Sequence, residues 1–140
     1  MALEQTFTMV KPDAVERGET GPILAKLEGA GFRLLRLKLV ELSAVEAGQF
    51  YHVHEGKPFL KDLIKYMSSG PICAAVLERE DGIAELRRLV GNTDPAQAAE
   101  GTIRKAFGID KGHNAVHASD APETAAEEMA FFGLTLKREA

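Results

Sequence analysis

Two residue periodicities alternate along this chain, and they restrict its fold more than any other feature. Segments in which apolar and polar residues alternate, or in which apolar residues form short runs, are typical of strands. Segments in which apolar residues recur every three or four positions are typical of helices. Strand patterns cover residues 5–11, 32–42, 71–77 and 114–119, and helix patterns cover residues 20–28, 43–54, 59–67, 83–90 and a closing segment from 122.

The order of these segments predicts the fold class. The order β-α-β-α-α-β-α-β-α fits an α+β fold of the ferredoxin-like (split β-α-β) type, a four-stranded antiparallel sheet covered by helices. The length of 140 residues is typical of one unit, so residues 1–140 are expected to form a single domain. Residues 91–114 show only a short helical turn around 102–107, and irregular stretches of this length are usually functional or disordered.

Prolines and capping residues indicate where several elements begin and end. Pro12 is expected to end the first strand, because proline has no N–H to donate to the sheet. Lysine and arginine interrupt the leucines of the second strand, which is typical of an edge strand. Asp120 is expected to cap the closing helix, with Pro122 in the first turn and Glu123 at the capping-box position.

The composition disfavours several functional classes. The 17 Lys and Arg against 21 Asp and Glu give a net charge of −4, and 45% of the residues are hydrophobic, as in ordinary globular proteins. A nucleic-acid surface is not expected as the main function, because such affinity comes largely from clustered cations. The single cysteine, Cys73, allows no intrachain disulfide. No stretch approaches ~20 apolar residues and no leader-like segment begins the chain, so a cytoplasmic protein without membrane contact is expected.

Polar residues crowd the end of the last predicted strand, which is otherwise apolar. Asn114, His117, Ser119 and Asp120 lie close together, just before the start of the closing helix. Helix N-termini favour anions, so this segment is suited to an anionic ligand. The common phosphate-loop, dinucleotide, zinc-protease and hydrolase motifs are absent from the sequence. His117 is therefore the sharpest candidate for a reacting group.

This segment, Asn114-x-x-His117-Ala-Ser119-Asp120, resembles the active-site signature of nucleoside diphosphate kinases. Further blocks match in the family's order and spacing: Thr8-Met9-Val10-Lys11-Pro12-Asp13, Tyr51-His-x-His54, Lys57-Pro58-Phe59, Ser69-Gly70-Pro71, Gly91-x-Thr93-x-Pro95 and Gly101-Thr102-Ile103-Arg104. The resemblance covers practically the whole chain, and so many blocks rarely coincide by chance.

The resemblance implies an enzyme that transfers the γ-phosphoryl group of a nucleoside triphosphate to a different nucleoside diphosphate. The implied mechanism is ping-pong, with a phosphohistidine intermediate on His117. A neutral imidazole suits this step, because its nitrogen lone pair can attack phosphorus directly. The family assigns the orientation of the imidazole to the glutamate matching Glu128, supported by the residue matching Ser119.

The resemblance also implies which residues hold the nucleotide. Arginine can meet two phosphate oxygens at once, and an aromatic face stacks on any base, so broad use of purine and pyrimidine nucleotides is expected. The implied contacts are Lys11, His54, Arg87, Thr93 and Arg104 to phosphates or ribose, Asn114 to the sugar 3′-hydroxyl, Tyr51 near the reacting phosphate, and Phe59, Leu63, Lys111 and Gly112 around the base.

Magnesium is expected to arrive with the nucleotide phosphates, with no direct protein ligand and with Asp120 reaching the ion at most through water. The resemblance also implies a homo-oligomer. The short tail after Phe132-Gly133 favours a tetramer over a dimer or a hexamer, because that tail contributes to subunit contacts in the family.

Two other functional classes remain open from the residues alone. A regulatory nucleotide-binding module on the same fold would need the cations and the aromatic residue, but neither His117 nor the glutamate that orients it. A phosphocarrier that accepts phosphate from another protein would use His117, but it has no use for Phe59, Arg87 or Arg104. His52 and His113 are expected to be structural.

Overall fold

The computed structural model describes residues 3–136 and contains a four-stranded antiparallel sheet of order β2-β3-β1-β4. The strands are β1 (Leu3–Val10), β2 (Arg33–Glu41), β3 (Pro71–Glu80) and β4 (Val116–Ala118). The helices are α1 (Pro12–Glu16), α2 (Thr20–Gly29), α3 (Ala44–Phe50), α4 (Leu60–Met67), α5 (Gly82–Val90), α6 (Ile103–Phe107) and α7 (Pro122–Phe131). Two short 3₁₀ turns cover His52–His54 and Pro95–Gln97. The predicted ferredoxin-like α+β fold is confirmed.

The two central strands are buried on both faces. Phe7 and Met9 of β1 point into a core that also contains residues of α3, α4 and α7. Val10 belongs to the opposite core, with Ile23 of α2 and Leu86 of α5. Alternate residues of a strand face opposite sides, so helices on both faces bury every residue at this end of β1. This burial explains the continuous apolar runs in the sequence.

β2 is an edge strand, as its charged residues predict. Within residues 3–136 it pairs with β3 alone, and its register shifts between Leu34 and Arg36. Irregular pairing and charged side chains are ordinary features of sheet edges, where they oppose further strand pairing. Two leucines of this edge are nevertheless exposed, Leu37 at 52% and Leu39 at 66%.

The predicted cap of the closing helix is wrong by one residue. The N-cap is Ala121, which has no side-chain hydrogen bond, and Pro122 occupies the first helical turn as expected. Proline fits the first helical position, so the cap falls on the residue immediately before it. Asp120 therefore lies outside the helix, where it is exposed.

β4 is shorter than its sequence pattern because the chain turns sharply at Ala115. This residue has a φ of 74°, and the carbonyl oxygen of Asn114 accepts a hydrogen bond from the N–H of Val116 at 2.9 Å. The carbonyl oxygen of Ala115 accepts a second bond, from the N–H of Lys11 at 2.8 Å. The turn therefore attaches Asn114 to the end of β1.

No helix within residues 3–136 is both long and apolar enough to cross a membrane. The last four residues of the tail predicted to favour a tetramer, 137–140, lie outside the described residues.

Candidate active site

His117 lies on the edge strand β4, and neighbouring elements fix its position. Residue 117 pairs with Met9 of β1, and the hydroxyl of Thr8 donates to the carbonyl oxygen of His117 at 2.6 Å. The ring of Phe50 packs against the imidazole in a T-shaped arrangement, with 5.5 Å between ring centroids. The side chain of His117 remains 20% exposed and lines a cavity, so a ligand can reach it.

A carboxylate orients the imidazole. Nε2 of His117 lies 2.7 Å from Oε2 of Glu128, and the hydroxyl of Ser119 donates to Oε1 of the same carboxylate at 2.5 Å. A carboxylate can only accept, so Nε2 carries the proton and the lone pair is on Nδ1. Glu128 reaches this position because α7 packs back over β1. The structure thus brings together the three residues predicted to form the reacting group.

Lys11 forms the start of a polar chain at the end of β1. Its Nζ donates to Oδ1 of Asn114 at 2.9 Å, and Nδ2 of Asn114 donates to the carbonyl oxygen of Thr93 at 3.1 Å. Lys11 is 7% exposed. Burial, together with the nearby Arg104, lowers the pKa of its ammonium group from 10.5 to about 8.

Arg104 is fixed by two backbone carbonyls rather than by an acid. Nη1 donates to the carbonyl oxygen of Gly91 and Nη2 to that of Val116, both at 3.0 Å. Its buried Nε has no hydrogen-bond partner among residues 3–136. Burial and the neighbouring Arg87 lower the pKa of the guanidinium to about 10. Because these partners are carbonyls and not carboxylates, they do not neutralise the positive charge of Arg104, which remains available to an anionic ligand.

These side chains open onto a cavity of about 810 Å³. The predicted site residues on its wall are Lys11, Tyr51, His54, Phe59, Leu63, Thr93, Arg104, Lys111, Gly112, Asn114 and His117. Arg87 lines a smaller adjoining cavity of about 270 Å³, together with Thr93 and Arg104. Glu128 and Ser119 lie behind His117 and are not part of the wall.

A second part of the large cavity, which we call its aromatic end, is lined by Phe59 and Leu63. Phe59, at the N-terminus of α4, is 48% exposed, and its ring packs against that of His54 with 5.1 Å between centroids. Leu63 follows one turn later on the same helix. Lys111 and Gly112 lie in a turn in which Oδ1 of Asp110 accepts a hydrogen bond from the N–H of Gly112 at 2.9 Å. The cavity therefore has a cationic end and an aromatic end.

Tyr51 presents a buried hydroxyl without a hydrogen-bond partner among residues 3–136. Burial and the neighbouring Glu128 raise the pKa of this hydroxyl well above its usual value, so it stays protonated. A buried, unpaired hydroxyl is costly, and a donor of this kind on a cavity wall is suited to a ligand oxygen.

Four residues of the cavity wall were not predicted as site residues: Asp62, Tyr66, Asp110 and His113. Tyr66 follows Phe59 by seven positions, so helical periodicity could have identified it as part of the same face. His113, expected to be structural, lines the cavity, and its ring packs against Tyr66 with 4.6 Å between centroids. No periodic pattern surrounds Asp110 or His113.

Comparison with known proteins agrees with this geometry. A sequence profile described as nucleoside diphosphate kinase matches residues 4–135. A protein of Brucella melitensis biotype 1 with that name is 55% identical over 132 residues, which cover 94% of each chain.

Solved structures of the same family superpose closely. A nucleoside diphosphate kinase from Aquifex aeolicus has a TM-score of 0.91 and 47% identity, over 94% of this chain and 95% of the other. One from Halobacterium salinarum, in complex with CDP, has a TM-score of 0.89 and 41% identity, over 94% of this chain and 88% of the other. By fold, by sequence and by the hydrogen bonds that join Ser119, Glu128 and His117, this protein belongs to the nucleoside diphosphate kinase family.

Proposed function

We propose that His117 carries the phosphoryl group while this nucleoside diphosphate kinase transfers it from a nucleoside triphosphate to a different nucleoside diphosphate. The observation that supports this role most directly is the chain of hydrogen bonds from Ser119 through Glu128 to Nε2 of His117. It leaves Nδ1 as the nucleophile, on a ring that lines the cavity.

The chemical step requires no separate base. Nδ1 of His117 forms a bond to the γ-phosphorus, the bond from phosphorus to the bridging oxygen breaks, and the electron pair leaves with the nucleoside diphosphate. The imidazole becomes positively charged in this step, and Glu128 stabilises that charge through Nε2–H. In the second half-reaction an oxygen of another diphosphate attacks the phosphohistidine, and the neutral imidazole is restored.

We assign the phosphate contacts to the cationic end of the cavity. Lys11 and Arg104 lie there with His117, and Arg87 adjoins them across Thr93. The transition state of phosphoryl transfer carries its charge on oxygens, so fixed cations and the hydroxyl of Tyr51 are the groups that can stabilise it. The remaining assignments are His54 to phosphate or ribose and Asn114 to the sugar 3′-hydroxyl.

We assign the base to the aromatic end, between Phe59 with Leu63 on one side and Lys111 with Gly112 on the other. Stacking on a ring face does not distinguish bases, so broad use of purine and pyrimidine nucleotides follows.

The Phe59→Ala variant is expected to raise the KM for purine and pyrimidine diphosphates alike, by about tenfold, because ~1–3 kcal/mol of stacking is lost. Steady-state kinetics with ADP and CDP as acceptors measure this effect. The matched control is Val53→Ala, which truncates an exposed apolar side chain in the neighbouring 3₁₀ turn. An increase for only one base, or none, would remove Phe59 from the base site.

We propose that magnesium binds with the nucleotide phosphates rather than at a site built by the protein. Across the described residues, no three His, Cys, Asp or Glu side chains form a group that could hold a metal ion. Magnesium commonly retains several waters and binds through substrate phosphates, so it does not require a dedicated group of protein ligands. Asp120 is exposed on the loop after β4, and a contact to the ion would run through water.

The value of kcat/KM is expected to fall as the pH rises above about 8. This parameter follows the free enzyme, in which the pKa of Lys11 is lowered to about 8 by burial and by Arg104. Since the ammonium form binds phosphate, its loss weakens binding above that pH and not below it. Lys11→Arg keeps a positive charge at all these pH values, so its profile should lack this limb. A wild-type profile that stays flat to pH 10 would contradict the role of Lys11.

A labelling experiment tests the proposed function. The protein is incubated with γ-labelled ATP and magnesium, freed of nucleotide, and then given an unlabelled diphosphate of another base. Acid-labile label should form on the protein and pass to that diphosphate. Absence of label would indicate a regulatory module, and label that forms only from a protein donor would indicate a phosphocarrier.

We also propose that residues 1–140 form one domain that assembles as a cytoplasmic homo-oligomer, with a tetramer favoured over a dimer or a hexamer. The exposed leucines of the β2 edge, Leu37 and Leu39, support an association surface, because unpaired edges with large apolar side chains readily pair with another chain. Light scattering of the purified protein measures the mass that decides between these states.

A further inference from the structure

Asp13 holds a carboxylate beside the cavity that the proposed function does not use. It lies in α1, two residues after Lys11, and its side chain is only 7% exposed. The hydroxyl of Tyr66 donates a hydrogen bond to its Oδ1. Its Oδ2 lies 3.5 Å from Nη1 of Arg17. Oδ1 is thus hydrogen-bonded, whereas the buried Oδ2 pairs with Arg17 by charge and has no hydrogen-bond partner among residues 3–136.

The two partners of Asp13 connect it to two helices that carry residues of the cavity wall. Tyr66 lines the cavity on α4, and its ring packs against His113. Arg17 donates through Nη2 to the carbonyl oxygen of Phe107, the last residue of α6, at 2.5 Å. Arg17 also pairs with Glu19 at 2.9 Å. The carboxylate is therefore fixed between the helix that carries the aromatic end and the helix that carries Arg104.

The charged form of the buried Lys11 side chain depends on its neighbours. It is buried, and its neighbour Arg104 is also a cation, so both influences disfavour its charged form. The charged and titratable groups around this end of the cavity are Asp13, Tyr51, Arg87, Arg104, Asp110, His113, His117 and Glu128. Of these, Asp13 is the one whose charge favours the ammonium form of Lys11.

We propose that Asp13 is a positioning residue for phosphoryl transfer: its carboxylate, fixed by Tyr66 and Arg17, keeps the buried Lys11 ammonium charged at the phosphate end of the cavity. The inference rests on the proposed function for its effect on turnover. The electrostatic part concerns the protein alone and is measured without a reaction.

The Asp13→Asn variant separates the charge from the hydrogen bond. An asparagine oxygen still accepts from Tyr66, so the main change is the loss of one negative charge. The Lys11 ammonium is expected to titrate about one pH unit lower, the size of effect that one nearby opposite charge produces. The ¹³Cε shift of Lys11, assigned by its loss in Lys11→Arg, reports this titration. The alkaline limb of kcat/KM should move down by the same amount.

Two control variants keep the interpretation specific. Glu16→Gln removes an exposed carboxylate from the same short helix and should leave the Lys11 titration unchanged. Tyr66→Phe removes the hydrogen bond but retains the charge of Asp13, so it should change the titration by less than a third as much as Asp13→Asn. Equal shifts in Tyr66→Phe and Asp13→Asn would overturn the electrostatic role.

The Arg17→Gln variant provides a test of opposite sign, which remains valid even if Asp13→Asn fails to fold. Removing the cation that pairs with Asp13 should raise the pH at which Lys11 titrates. Unchanged titration in Arg17→Gln, or in a folded Asp13→Asn, would overturn the inference. A shifted titration in a protein that forms no phosphohistidine would instead overturn the proposed function and leave the electrostatic part standing.

Discussion

Replacing His117 with alanine is expected to lower the rate of phosphoryl transfer by about 10⁵-fold or more, because loss of a covalent nucleophile removes nearly the whole chemical contribution of a site. Alanine offers no nitrogen to form the bond to phosphorus. Since the cations of the cavity remain, nucleotide binding should persist. Turnover with ATP and a diphosphate acceptor measures the loss of rate. Label retained on the protein after incubation with γ-labelled ATP measures the loss of the phosphohistidine.

The control for this variant is His52→Ala. His52 is exposed, and its Nδ1 lies 3.0 Å from the carbonyl oxygen of Gln49, outside the cavity wall. It should keep wild-type turnover and labelling. If His117→Ala still acquired acid-labile label from ATP, another residue would have to be the phosphoryl carrier.

Replacing Arg104 with alanine is expected to lower kcat by about 10²–10³-fold, the effect typical of removing one fixed donor to transition-state charge. The guanidinium is held in place by the carbonyls of Gly91 and Val116, so it requires little rearrangement when charge develops on the phosphoryl oxygens. The same substitution leaves those carbonyls without their donor, which should reduce the free energy of unfolding by about 1–3 kcal/mol.

Two measurements separate these effects of Arg104→Ala. Urea unfolding gives the loss of stability, and single-turnover labelling gives the loss in the chemical step. The matched control is Arg88→Ala, because Arg88 is 71% exposed and pairs only with Glu85 on the surface of α5 among residues 3–136. Arg88→Ala should leave kcat within a factor of two. A merely twofold loss in Arg104→Ala would move Arg104 out of the phosphate site.

The sheet and most of the helices could be predicted because their sequence patterns are long enough to be read. β3 shows an unbroken apolar run since helices cover both of its faces. α1 could not be predicted in this way, because five residues are too few for a helical period. Pro12 has two roles there: it prevents β1 from continuing, and it is the first residue of α1.

The candidate site was predicted from the resemblance of whole blocks to a family rather than from periodicity. The distance of eleven positions between His117 and Glu128 does not by itself bring the two side chains together; the packing of α7 over β1 does. The contact between Tyr66 and Asp13 joins residues 53 positions apart, in two segments that carry no shared pattern. Contacts of this kind depend on tertiary packing, which a linear pattern does not contain.

The sharp turn at Ala115 has a consequence for how the protein distributes its stability. A non-glycine residue with a φ of 74° is strained, by about 1–3 kcal/mol for such conformations in general. Lys11 donates two hydrogen bonds to the turn, from its backbone N–H to the carbonyl oxygen of Ala115 and from its side chain to Asn114. These bonds, with the pairing of β4 to β1, hold the unfavourable backbone conformation in place. Local folding energy is therefore given up where His117, Asn114 and Lys11 must keep a common alignment.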